Sequence, residues 1–100
     1  MSFTIHIEQP VAPLLEELPF PVRDSLRAHL QRIAETAEFL PPEDPRWEDL
    51  VQVQPDGDGL RTYVAGCCVR LHLLHDSREL VVEQIGRVRI RLPESLALAW

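Results

Sequence analysis

Five residues in the second half of the chain have types and spacing suited to handling protons and anions: Arg61, Tyr63, Arg70, His72 and Arg87. A histidine takes up and releases protons near neutral pH. A phenol donates or accepts a hydrogen bond. A guanidinium offers an oxyanion a planar fork of donors, so clustered arginines can grip one anion locally. Arg61 and Tyr63 are two positions apart, and so are Arg70 and His72. On extended strands that spacing puts each pair on one face.

The elements that must position these residues lie in residues 60–91, LRTYVAGCCVRLHLLHDSRELVVEQIGRVRIR. The pattern predicts a three-stranded β-meander. Its first turn falls at Gly66-Cys67, where glycine supplies backbone freedom. Tyr63 is then expected opposite Arg70, Arg61 opposite His72, and Val64 opposite Val69. Alternation gives one apolar face of Leu60, Thr62, Val64, Val69, Leu71 and Leu73. The other face is a polar platform of Arg61, Tyr63, Cys68, Arg70 and His72. A second turn at Asp76-Ser77 puts Arg70 opposite Glu83 and sends Leu80 and Val82 to the core. The same register continues Arg87, Arg89 and Arg91 along the platform.

Residues 2–8 alternate, with Phe3, Ile5 and Ile7 facing one way and Thr4, His6 and Glu8 the other, the signature of a half-buried strand. Residues 10–18 suit a short helix, with Pro10 in its first turn. Pro21 is placed to open a second helix, in which Val22, Leu26, Leu30, Ile33, Ala37 and Leu40 recur at helical spacing over residues 22–40. His29 flanks that stripe as a packed edge residue. The two helices need a sheet to cover their apolar side. Pro41, Pro42 and Pro45 stop the second helix, Trp47 is expected to anchor the loop on the core, and residues 50–53 suggest a short edge strand. Residues 55–59, Pro-Asp-Gly-Asp-Gly, read as a turn and lack the ligand ladder of a calcium loop. Pro93, Glu94 and Ser95 suggest a last helical turn carrying Leu96, Leu98 and Trp100, an apolar tail that must dock.

One hundred residues suit a single domain, residues 1–100, with one core. No apolar run approaches the roughly 20 residues of a membrane span, and no leader pattern is evident; the expectation is a cytoplasmic protein without membrane contact. Cys67 and Cys68 are adjacent and close no useful loop, so neither a disulfide nor a metal site is expected. No cofactor is implied. Residues 1–59 carry four arginines against twelve acidic residues, a net of −8, whereas residues 60–100 carry a net of +2, with no lysine anywhere. Such a field disfavours general nucleic-acid binding, and any RNA contact must be local.

The order of strand, two helices and three-stranded meander resembles the RelE/ParE superfamily of bacterial toxin–antitoxin proteins across nearly the whole chain. FTIHIEQPVAPLLEELPFPVRDSLRAHLQRI is similar to the family's first strand and paired helices. Gly66 matches its turn glycine, and Ile85-Gly86-Arg87 its terminal signature. The resemblance implies an α+β fold: an N-terminal strand, a two-helix hairpin and an antiparallel β-meander, with the helices on one sheet face. It also implies a cognate antitoxin as partner. RelE-like members cleave mRNA on the ribosome, and ParE-like members inhibit gyrase. In RelE-type cleavage a ribose 2′-hydroxyl attacks the adjacent phosphate, for which Arg61, Tyr63, Arg70, His72 and Arg87 are the catalytic candidates. The sequence departs from the family pattern at Cys67-Cys68, where an aromatic–Arg pair is expected, and at Val88, where a second arginine is expected. It also lacks a C-terminal tyrosine. The expectation is therefore a toxin of this type with weak or absent ribosome-dependent endoribonuclease activity. A non-catalytic protein-binding module on the same fold and a gyrase inhibitor are the alternatives.

Overall fold

The computed structural model describes residues 3–41 and 43–87. The proposed tail at 93–100, and Val88, Arg89 and Arg91, lie outside them. The chain runs β1 (Thr4–Ile7), α1 (Ala12–Glu16), α2 (Phe20–Thr36), α3 (Trp47–Val51), β2 (Val53–Asp56), β3 (Gly59–Val64), β4 (Cys67–Leu74) and β5 (Glu79–Arg87). The described strands form one mixed sheet in the order β1-β5-β4-β3-β2, and among them only the β1–β5 pair is parallel. This is the expected α+β architecture.

The helices follow from prolines and apolar spacing. Pro21 sits in the first turn of α2, where a missing N–H costs nothing. The stripe Leu26, Leu30, Ile33, Ala34, Ala37 and Leu40 is buried. It meets Val69, Leu71, Leu80 and Val82 from the sheet in one cluster, against which Ile5, Ile7, Val64 and Leu73 pack partly buried. Trp47 is the anchor expected of it: it is buried, and its indole N–H donates to Pro41 O at 2.6 Å.

Of residues 50–53, expected as an edge strand, only Val53 belongs to one. Residues Trp47–Val51 form α3, with Glu48 and Asp49 in its first turn, where the helix dipole favours acids. Gln52 then turns left-handed, at φ 55°, and β2 starts one residue later. The edge strand therefore lies farther along the chain, and Asp56 pairs with Gly59 across a tight Gly57-Asp58 turn.

The first turn of the meander is Ala65-Gly66, with φ of 51° and 77°. Two successive positive φ values match the right-handed twist of the flanking strands. Tyr63 consequently faces Cys68, Arg61 faces Arg70, and Val64 faces Cys67. The register differs from the expected one by two residues, so every side chain keeps its face and changes its neighbour. In the next hairpin Leu71 pairs with Val82 but Arg70 pairs with Gln84, which leaves Glu83 as an extra residue in a β-bulge.

Candidate functional site

The expected platform exists on the face opposite the helices. Cross-strand pairing puts Arg61 beside Arg70 and Tyr63 beside Cys68, with His72 two positions beyond Arg70. Tyr63 is 48% exposed, and the Arg61 guanidinium lies over its ring at 5.7 Å. Four of the five candidates thus share one face.

Arg87 does not join them. It pairs with Cys67, which is buried on the helix side, and Gly86 takes the platform position opposite Cys68. The bulge at Glu83 explains the change: one extra residue reverses the in–out alternation for the rest of β5. Arg87 borders a surface hollow with Leu14, Glu17 and Leu18 of the α1 segment.

The platform's electrostatics differ from those of a basic surface. Arg70 is ringed by acids: Asp56 Oδ2 lies 3.7 Å from Nη1, Asp58 Oδ1 accepts from Nη2 at 3.0 Å, and Glu83 Oε2 lies 3.5 Å from Nε. The last contact lacks hydrogen-bond alignment, and Arg61 Nε–H is a second buried donor without an acceptor among the described residues. His72 Nε2 lies 2.7 Å from Glu83 Oε1 and 3.8 Å from Asp58 Oδ1. A carboxylate only accepts, so any hydrogen bond at these contacts is donated from Nε2. Two guanidiniums thus sit among three carboxylates. An incoming phosphate meets an Arg70 already faced by three carboxylates, with net repulsion around it.

Gly59 makes this arrangement possible. A Cβ there would lie 2.9 Å from Leu71 O and 3.0 Å from His72 Nε2, so only glycine admits the imidazole at this position. Asp56, Asp58 and Gly59 are the site residues that sequence reasoning missed. The available signal was their place in a hairpin turn two strands from Arg70. Among the described residues no group of His, Cys, Asp and Glu side chains is arranged to hold a metal ion.

The helix-side face carries a second polar network. His29 and Thr62 are buried, with His29 Nε2 2.8 Å from Thr62 Oγ1. Arg32 donates to His29 Nδ1 at 3.2 Å, which leaves the imidazole proton on Nε2 to be donated to Thr62. Thr62 then donates to Gln52 O at 3.0 Å. Burial, reinforced by the Arg32 charge, holds the His29 pKa below its ordinary value.

No protein-family model and no curated protein matches the chain. Solved structures do. The isolated E. coli RelE toxin superposes with a TM-score of 0.69 over 97% of this chain and 96% of its own, at 12% identity. The chain has the RelE fold. The M. tuberculosis RelBE2 toxin–antitoxin complex aligns at 0.60 and 9% identity, over 87% of this chain and 99% of that one. The P. horikoshii RelE–RelB complex aligns at 0.51 and 18% identity, over 87% and 96%. The RelE fold here has an acid-ringed arginine on its open sheet face and a buried histidine chain beneath. No helix among the described residues is long and apolar enough to cross a membrane.

Proposed function

We propose that this chain is the toxin-like member of a bacterial toxin–antitoxin pair: one cytoplasmic domain held by a cognate antitoxin, acting by binding and cutting mRNA weakly or not at all. The RelE fold along most of the chain supports the first part, as do solved relatives that are complexes with RelB partners. The carboxylate ring around Arg70 carries the second. Cleavage through a 2′-hydroxyl needs an uncommitted cation to meet the charge that builds on phosphate. Arg70 is committed, Arg87 lies on the far side of β5, and Cys68 supplies no charge-assisted donor, so among the described residues the platform is left with Arg61, over the Tyr63 ring, as a single guanidinium for the task. One such donor is worth on the order of a hundredfold in rate.

The test is expression in a bacterial host without the neighbouring reading frame, following growth and mapping transcript ends. The expected result is growth without codon-positioned cuts, together with co-purification when the neighbouring frame is co-expressed. A second reading rests on the 2.7 Å contact between His72 and Glu83, the geometry of a base steered by a carboxylate. Growth arrest with discrete cuts, abolished by His72→Ala, would establish that reading in place of the first.

A further inference from the structure

We propose that the Asp56-Gly57-Asp58 turn, with Glu83, is an internal stand-in anion that occupies Arg70 and keeps the open sheet face closed to phosphate. The inference deepens the reading above, and its test is a binding measurement independent of effects on growth.

The acids reach Arg70 from different parts of the fold. Asp56 ends β2, Asp58 lies in the β2–β3 turn, and Glu83 is the bulged residue of β5. Gly57, at φ +63°, curls the turn inward until a Cβ there would stand 3.6 Å from Arg70 Nη2. Arg61 and Arg70 face each other directly across β3 and β4. Such a like-charge pair is unfavourable on its own, and the carboxylates offset it.

The same two arginines border a hollow of about 220 Å³ with Asp56, Cys68, Gln84 and Gly86. Gly86 contributes no side chain, and a Cβ there would meet nothing within 4 Å. With the acids neutralised, that hollow presents two adjacent guanidiniums to a tetrahedral oxyanion. With the acids in place it is closed by charge rather than by bulk. Asp58 is 83% exposed, so its contact is of the weak, exchangeable surface kind.

Inorganic phosphate and a short single-stranded RNA are the probes, titrated at low salt and followed by backbone amide shifts in wild type and in Asp56→Asn/Asp58→Asn. The expected result is no saturable binding by wild type. The double variant should gain on the order of tenfold or more in affinity, from removing two repelling charges. That gain should vanish when Arg70→Ala is added and decline with salt. A gain for RNA alone assigns the opened face to a phosphodiester chain; a gain for both assigns it to the oxyanion itself. Wild type binding as tightly as the variant overturns the proposal, as does a gain that survives Arg70→Ala. Thermal melts check folding, and Asp58→Asn alone, at an exposed position, gives the same readout should the double variant unfold.

Discussion

Two histidine–arginine networks lie on opposite faces of one sheet, and they handle charge in opposite ways. Beneath the sheet, His29 is buried and neutral: Arg32 donates to one nitrogen, the other donates to Thr62, and Thr62 donates to the carbonyl of Gln52. Every link has one donor and one acceptor, and the chain ties α2 to β3 and to the end of α3. Above the sheet, His72 and Arg70 share Asp58 and Glu83, with Asp56 as a further acid. There the acceptors outnumber the cations, and solvent reaches most of the groups. The comparison separates a polar network that fixes packing from one that sets surface potential.

The largest expected effect comes from the packing both networks rest on. Leu71 is fully buried between Arg70 and His72 in sequence, and Leu71→Ala should cost about 2 to 5 kcal/mol in urea unfolding. An unchanged midpoint would show that the cluster is not the core. Next is Thr62→Val, which strands the His29 N–H and the Gln52 carbonyl together. It should cost about 1 to 3 kcal/mol, independent of salt. Arg70→Ala on the open face should cost only about 1 kcal/mol or less. Because it leaves three carboxylates facing one another, that cost should shrink as salt rises. Equal costs and equal salt responses for Thr62→Val and Arg70→Ala would break the distinction between the faces. The smallest effect sharpens it. The His29 pKa is lowered in the fold from 6.5, so the unfolded chain binds the proton first. This contribution to stability is complete above the unfolded value and is lost as pH falls below it toward the lowered folded value. Stability measured against pH should show that decline, and His29→Gln should remove it.

Side-chain parity was legible in the sequence; neighbours were not. Alternation alone assigns Arg61, Tyr63, Arg70 and His72 to one face, and a turn misplaced by one residue, which shifts the register by two, preserves that assignment. The turn was misplaced because Ala65 adopts a positive φ that its residue type does not advertise. Gln52 hid the end of α3 in the same way, and with it the start of β2. The bulge at Glu83 lies just past Leu80-Val81-Val82, a run too uniformly apolar to reveal a slip, and Arg87 was misassigned as a result. The expected cross-strand place of Glu83 opposite Arg70 is taken by Gln84, because of the bulge, yet Glu83 still reaches the Arg70 guanidinium. The contribution of Asp56 and Asp58 was not foreseen, because a turn sequence does not say which way it curls. His29 was recognised as a packed residue at the edge of the apolar stripe, but its link to Thr62 joins positions far apart in the chain.

The sheet order carries a consequence for how the molecule is made. β1 includes Thr4, yet among the described residues its only strand neighbour is β5, where Thr4 sits beside Glu79. During synthesis the first strand must wait for nearly the whole described chain before it can pair, while the β3–β4 and β4–β5 hairpins close locally as they emerge. Contacts this distant in sequence form slowly, because the intervening chain must be ordered first. Until β5 is complete, Phe3, Ile5 and Ile7 have no strand beside them, and a binding partner that meets the nascent chain meets an unfinished sheet.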